Sequence, residues 1–316
     1  MGKTAFVFPG QGSQFVGMGQ ALANESEAAK QIFAQADEAL GFSLSTLCYE
    51  GPEEELRLTA NTQPAILTAS IAVLAALREK QPGFTPDFVA GHSLGEYSAL
   101  VAAEAISFAD AVKTVRARGQ FMEEAVPAGQ GAMAAVLNLE RAALHAICEE
   151  VSAAGHPVQL ANLNSPGQIV ISGSAEGVKR AGEQAKAAGA KRVLPLNVSG
   201  PFHSSLMQPA ADKLKEVLAG IAVRDAKVPV VANVNARPVT EAATIVESLV
   251  EQVSAPVLWE DSVQWMVEAG VTTFVEIGPG KVLAGLIKKT APAGTAIYSV
   301  QDMESLVELL NGGVVC

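Results

Sequence analysis

Phe88-Val89-Ala90-Gly91-His92-Ser93-Leu94-Gly95 sets a G-x-S-x-G pentapeptide between a short apolar run and an Ala- and Leu-rich segment that extends to Ala103. The apolar run reads as a buried strand and Leu94 to Ala103 as a helix, so Ser93 falls at a strand-to-helix turn, the setting of a nucleophile elbow. Gly91 and Gly95 suit that turn, since it needs residues without Cβ for its backbone angles and for close packing of the helix on the strand. A serine held there projects Oγ from the top of a sheet, and the amide of Leu94, at the N-terminus of the new helix, is free to donate to an oxyanion. The competing reading is a structural N-cap serine.

Working outward, Thr4 to Phe8 is a β-like run ending in the loop Pro9-Gly10-Gln11-Gly12-Ser13-Gln14, a candidate second oxyanion donor. A dinucleotide fingerprint fails because Phe15 stands where a third glycine belongs, and no phosphate-binding G-x-x-x-x-G-K-[ST] occurs. Helices are expected around residues 25–40, 53–59 and 63–80, an α/β alternation that implies a parallel sheet. The texture changes after residue 127. Gly131 to Leu137 reads as strand, Glu140 to Ser152 as helix, and Val158 to Leu163 and Gln168 to Ser172 as strands about the turn Asn164-Ser165-Pro166-Gly167. Ala175 to Ala188 reads as helix and Lys191 to Leu196 as strand, completing a ferredoxin-like β-α-β-β-α-β order. The expected architecture is α/β: a discontinuous α/β-hydrolase-like large domain, 1–127 and 199–316, with a ferredoxin-like small subdomain, 128–198, inserted. In the third segment Val228 to Val234 and Thr273 to Ile277 read as strands, Ile245 to Val253 and Trp259 to Ala269 as helices. A further helix follows Gly278-Pro279-Gly280.

Composition narrows the function. The 316 residues are 49% hydrophobic, enough for a large core, and 22 basic against 33 acidic residues leave a net charge of −11. That balance argues against nucleic acid and against anionic membrane surfaces as partners. Cys48, Cys148 and Cys316 share no metal-ligand or redox spacing and read as ordinary thiols of a reducing compartment. The start runs directly into a strand without an extended apolar leader, and no apolar run approaches a bilayer span, so the expected location is cytoplasmic, with no membrane partner.

A nucleophilic serine needs a base, and the chain holds four histidines. His92 adjoins Ser93, but neighbouring side chains on an extended strand point oppositely, which makes it a poor base for that serine. His145 belongs to a predicted helix of the insertion and His156 to a polar turn. His203 follows the breaker cluster Ser199-Gly200-Pro201-Phe202 at the junction where the insertion ends, and reads either as a base on an interdomain loop or as a satisfied loop histidine. Phe108, Ala111, Val115, Arg118 and Met122 form one helical stripe, which turns Arg118 toward the apolar face, whereas Lys113, Arg116 and Gln120 look solvated. A buried guanidinium needs a partner: an internal Asp or Glu, or a substrate carboxylate.

Phe8-Pro9-Gly10-Gln11-Gly12-Ser13-Gln14, Gly91 to Glu96, Arg118-Gly119, Asn162 to Gln168, Pro201-Phe202-His203, Gln252, Pro256-Val257 with Trp259, and Glu276 to Gly280 appear in the order found in malonyl-CoA:acyl carrier protein transacylases, and the chain resembles that family over essentially its whole length. The resemblance implies Ser93 as acylated nucleophile and His203 as its base, oriented by a backbone carbonyl at Gln252 rather than by a carboxylate. It implies an oxyanion hole from the amides of Gln11 and Leu94, Arg118 on the malonyl carboxylate, and Asn162 and Asn164 in a polar pocket motif that also reads as plain turn residues. It implies a ping-pong transfer of malonyl from malonyl-CoA to the phosphopantetheine thiol of acyl carrier protein, serving fatty acid synthesis, with no metal and no cofactor. The competing classes are a serine esterase or thioesterase, whose histidine typically lies late in the chain, and a silent acyl-binding protein of the same fold. Since the carrier is acidic, docking calls for local positive charge: Lys179, Arg180, Lys186, Lys191 and Arg192, or Lys288 and Lys289.

Overall fold

The computed structural model describes residues 2–127 and 129–312; Cys316 lies outside them. The first segment runs β1 (Lys3–Phe8), α1 (Gln20–Glu25), α2 (Glu27–Leu40), α3 (Leu44–Glu50), α4 (Glu53–Leu56), α5 (Thr59–Lys80), β2 (Phe88–Gly91), α6 (Gly95–Ala102) and α7 (Phe108–Glu124). There follow β3 (Gly131–Leu137), α8 (Arg141–Ala153), β4 (Val158–Ser165), β5 (Gln168–Ser174), α9 (Ala175–Ala187) and β6 (Arg192–Pro195). The last segment holds a 3₁₀ turn (Ser205–Met207), α10 (Gln208–Ala219), β7 (Val230–Val231), β8 (Pro238–Val239), α11 (Ala242–Gln252), α12 (Trp259–Glu268), β9 (Val271–Ile277), α13 (Val282–Thr290), β10 (Ala296–Val300) and α14 (Met303–Asn311).

Two sheets result. The large one has the order β10-β9-β1-β2-β7-β8, parallel throughout except that β8 hooks back antiparallel on β7. Alternation along β1 explains why both of its faces are covered: Phe6 and Phe8 enter one core with α2, α5 and α7, while Ala5 and Val7 enter a second with Trp259 and Leu283. The small sheet, β4-β5-β3-β6, is antiparallel and closes its own core under α8 and α9. The expected α/β architecture is therefore present, as a mostly parallel sheet with a small antiparallel one.

Some expectations fail for identifiable reasons. The strand expected over Val228 to Val234 shortens to two residues, because the chain turns into β8 after Ala232, whose N–H donates across the turn to the main-chain carbonyl of Arg237 at 3.0 Å. β10 at the sheet edge and the helices α1, α3, α10 and α14 lie outside the expected elements, although α10 and α14 are amphipathic and α14 opens on a capping box of Asp302 with Ser305. The helix expected from residue 63 starts at Thr59, with Pro64 inside it. Pro64 has no N–H for the carbonyl of Ala60 one turn back. Arg116 Nη1 donates to that carbonyl instead, at 3.2 Å, and to Asn61 at 2.7 Å, while the guanidinium stacks over Phe42. Arg116 is thus half-buried rather than solvated. Contrary to the expectation that no apolar run approaches a bilayer span, α5 is long and apolar enough to cross a membrane, the one such helix among the described residues; it is apolar all round because it is mostly buried as a core helix.

Candidate active site

The loops at the carboxyl ends of β1, β2 and β7 meet above the large sheet, where ligands of open α/β sheets bind. Ser93 leaves β2 with φ 52°, a left-handed conformation that is strained for a residue with a side chain. Several bonds hold it there. Ser93 N donates to Asn233 Oδ1 (2.7 Å), Asn233 Nδ2 donates to the Gly91 carbonyl (2.7 Å), and Gln252 Nε2 donates to the Ser93 carbonyl (3.0 Å). The glycines act through space rather than through backbone angles, which corrects half of the expectation for them: neither has positive φ. A Cβ at Gly91 would overlap the carbonyl of Gly95, and one at Gly95 would overlap the carbonyl of Phe8. Backbone cannot yield as a flexible side chain does, so Gly91→Ala is expected to cost about 3 kcal/mol or more in urea denaturation. A loss under about 1 kcal/mol would show that the turn relaxes.

His203, from the junction after the small sheet, reaches the serine: Nε2 lies 2.7 Å from Ser93 Oγ. Its Nδ1 lies 2.8 Å from the main-chain carbonyl of Gln252, which can only accept. Nδ1 therefore carries the hydrogen, and Nε2 is left with a lone pair for the serine proton. Burial is the main force on this ring, followed by the Arg118 cation; against the Gln252 carbonyl, they push its pKa down to about 3. His203 also has positive φ, 55°. Gln159 of β4 clasps the backbone around it, accepting from Ser205 N (2.9 Å) and donating to the His203 carbonyl (3.3 Å).

Arg118 is buried, 1% exposed, with the stripe predicted for α7. Its Nη1 donates to Gln63 Oε1 (2.8 Å), and its Nη2 to Gln252 Oε1 (3.0 Å) and Ser93 Oγ (3.1 Å). No carboxylate pairs with it among the described residues, and its Nε has no hydrogen-bond partner there. The nearest acid in this network is Glu96, reached only through Gln252 Nε2 (2.8 Å). Burial pushes Glu96 up to about 7, against hydrogen bonds from Asn233 and Gln252 and the charge of Arg118. The guanidinium is thus solvated by amide oxygens, an arrangement that leaves its charge for an anionic ligand.

Gln11, Ser93, Leu94, Arg118, Asn162 and His203 share one cleft, whose apolar wall includes Met133, Leu196 and Phe202. The amides of Gln11 and Leu94 donate to no protein acceptor among the described residues. Gln252 sits behind the cleft, and so does Asn164, which accepts from His92 Nε2 at 2.8 Å. Both asparagines belong to strand β4, not to a turn, because pairing with β5 extends through Ser165 and Asn162 also bridges to Val257. His92, half-buried on the cleft wall, bonds to Asn164 rather than to Ser93, while His145 lies on the outer face of α8 beside Glu149. Sequence reasoning passed over Gln63, Asn233 and Gln159. The first two are amides on a helix and a loop with no motif about them, and only the long-range contacts expose their part. Glu276, singled out within a motif, is architectural: it accepts from the amides of Leu283 and Ala284 and caps α13.

Comparison with known proteins places these features in context. Residues 5–307 match the family described as acyl transferase domain. The chain is 61% identical over 289 residues to the malonyl CoA-acyl carrier protein transacylase of Bacillus subtilis, covering 92% of this chain and 90% of that one. In three dimensions it is similar to an acyl carrier protein S-malonyltransferase from Vibrio cholerae, with TM-score 0.94, 46% identity, and coverage of 97% of this chain and 99% of that one. It is equally similar, with TM-score 0.94, 47% identity and coverage of 98% and 100%, to a malonyl-transacylase solved in complex with its holo type II polyketide synthase acyl-carrier protein.

Proposed function

The chain belongs to the acyl transferase family, among its malonyl-CoA:acyl carrier protein transacylases, and from that membership we propose that Ser93, His203 and Arg118 carry its reaction. The enzyme is an [acyl-carrier-protein] S-malonyltransferase that takes malonyl from malonyl-CoA and supplies it for fatty acid synthesis on acyl carrier protein. In the first half, His203 Nε2 takes the proton of Ser93 as Oγ attacks the malonyl thioester carbonyl. The oxyanion accepts from the amides of Gln11 and Leu94, and its collapse breaks the C–S bond. Coenzyme A leaves with the proton from His203. In the second half the carrier's phosphopantetheine thiol gives its proton to His203, its sulfur attacks the malonyl ester, and Ser93 Oγ leaves, regaining the proton.

The observation that carries this reading is the buried Arg118, 3.1 Å from the nucleophile oxygen and without a carboxylate paired to it among the described residues. A malonyl carboxylate fits that role and an acetyl methyl does not. Asn162 lines the same cleft, and we assign it and the His92–Asn164 pair to the polar wall around the acyl group. We divide the chain into a large domain, 1–127 with 199–316, and a small one, 128–198, and place the protein in the cytoplasm. Intact mass measurement after mixing with malonyl-CoA alone tests the reading. A malonyl adduct that persists, is absent with acetyl-CoA and is discharged by holo-carrier protein is the expected result. Steady release of coenzyme A without an adduct would instead indicate a hydrolase.

The environment of His203 makes a second prediction. With its pKa held far below the ordinary 6.5, the ring stays neutral in mild acid, so the burst rate of Ser93 acylation should change less than about threefold between about pH 7 and pH 5. A histidine titrating at 6.5 would lose roughly tenfold per unit below that value, and such a fall, if it persists in Glu96→Gln, where the neighbouring carboxyl held near 7 is removed, would refute the assignment. The same depression has a stability consequence. The contribution of a neutral His203 is complete above 6.5 and is lost as pH drops toward the folded value, because the unfolded chain takes up the proton first.

A further inference from the structure

His203 holds a backbone conformation that a residue with a side chain does not favour. With φ 55° it lies in the left-handed region, and it sits in a turn outside any strand or helix, so surrounding groups must fix it. One restraint is internal to the turn, where Ser204 Oγ donates to the Pro201 carbonyl at 2.6 Å. Another comes from the small sheet. Gln159 Oε1 accepts from Ser205 N (2.9 Å), and Gln159 Nε2 donates to the His203 carbonyl (3.3 Å). The same Nε2 lies 3.4 Å from the carbonyl of Ser254, which stands just beyond Gln252 in the chain. A side-chain amide nitrogen has two hydrogens, one for each of these carbonyls. Gln159 thus ties the residue that bears the base to the segment whose carbonyl orients it.

The strand that carries Gln159 is a firm support. Val158 and Leu160 on either side of it are buried in the core of the small sheet, so the alternation of β4 sends Gln159 to the opposite face, toward the base. Further along, main-chain bonds stitch β4 to the stretch that follows Gln252: Val257 N donates to the Ala161 carbonyl and Leu163 N to the Val257 carbonyl, both at 2.9 Å. Pairing with β5 holds the other edge of β4. A long side chain gives up rotamer freedom when its amide is held at every polar atom, so these bonds must offset that loss. Gln159 does not line the cleft around Ser93, and its effect on the reaction passes through His203.

We propose that Gln159 is a positioning residue for the general base: by holding His203 and Ser254 together it sets the ring against the Gln252 carbonyl, and so keeps the hydrogen on Nδ1 and the lone pair of Nε2 in line with Ser93 Oγ. This rests on the assignment of His203 as base. Without the clasp the strained turn relaxes and the ring tips from the carbonyl, which populates the tautomer with hydrogen on Nε2. That tautomer has no lone pair for the serine proton. A small displacement is enough, because the contact between base and nucleophile is a single bond of 2.7 Å. Binding of the malonyl group is left intact, since Gln11, Leu94 and Arg118 belong to the β1 loop, the elbow and α7, none of which Gln159 touches.

Two substitutions test it. Gln159→Leu keeps nearly the same bulk and removes all three bonds, whereas Gln159→Glu keeps the acceptor for Ser205 N and turns a carboxylate on the two carbonyls. In rapid-quench measurements the rate of Ser93 loading at saturating malonyl-CoA should fall about tenfold in the first and at least as much in the second. The malonyl-CoA concentration for half-saturation should stay within about twofold of wild type in both. Nitrogen NMR of enzyme labelled in histidine, with His203→Ala to identify the signal, should show one ring protonated on Nδ1 in the wild type and a mixture of tautomers in Gln159→Leu. Gln159→Asn, which retains both functions on a shorter arm, should restore part of the rate and of the single signal. Wild-type loading in Gln159→Leu would overturn the proposal. So would slowed loading with an unaltered ring signal, which would make Gln159 a merely structural residue. Full loading in His203→Ala would overturn the base assignment itself.

Discussion

Ser93→Ala and His203→Ala are each expected to slow malonyl transfer by about 10³- to 10⁶-fold, and the double variant should be no slower than the worse single one. The reason is that the two side chains act as one unit. Ser93 Oγ is 2.7 Å from His203 Nε2, and the ring is held in a single tautomer by the Gln252 carbonyl, so without either member the other has no proton to exchange. Residual rate over the uncatalysed reaction would come from Arg118 and the free amides of Gln11 and Leu94, which remain in place. Rapid-quench measurement of coenzyme A release, with circular dichroism to verify folding, decides the matter. Multiplicative losses in the double variant would mean that the two residues act in separate steps, and the proposed proton transfer would have to be abandoned. A malonyl adduct on Ser93→Ala would place the nucleophile elsewhere.

Arg118→Ala should lower kcat/KM for malonyl-CoA by about 30- to 4,000-fold, the effect of some 2–5 kcal/mol for a buried charge left without its partner. Acetyl-CoA, which presents no carboxylate, should be used at an unchanged or higher rate, so that the malonyl-to-acetyl ratio collapses. Truncation also frees the side chains of Gln63 and Gln252 and opens a cavity, which on its own slows both donors alike. The ratio separates the two effects. Arg118→Met, which retains bulk without charge, should shift it in the same direction, whereas Arg118→Lys keeps the charge but lacks the planar fork and should fall between. A ratio that stays at the wild-type value in the alanine and methionine variants would remove Arg118 from carboxylate recognition and leave it as support for Gln252.

Much of this molecule is written in local sequence. The elbow at Ser93 follows from an apolar triplet, two glycines and an Ala- and Leu-rich helix, all within sixteen residues of chain from Phe88 to Ala103. The small sheet is similarly legible, because its strands and helices switch period cleanly at Gly- and Pro-containing turns, and the observed elements agree with the expected ones to within one or two residues at most ends. Arg118 could be placed on the inward face of α7 because the helical stripe about it is regular. Where local signals fade, the reading fades with them. β7 and β8 are too short to show a period, β10 is an edge strand, and α5 is apolar on every side, so its start is hidden behind Pro64.

What Arg118 faces is another matter, since a periodic stripe gives the direction of a side chain but not its neighbours. The two partners open to it, an internal acid or a ligand, are separated only by bringing Gln63 and Gln252 onto it from 55 and 134 residues away. The same holds for His203, whose worth as a base depends on Ser93 at a separation of 110 residues and on a carbonyl from yet another helix. Local sequence by itself determined the turn, the stripe and the two-sheet order, because these arise from backbone preference and periodic burial within a few residues. Only the tertiary structure decided which polar groups meet in the cleft. Hydrogen bonds and desolvation depend on distances between segments far apart in the chain, and no local pattern encodes those distances.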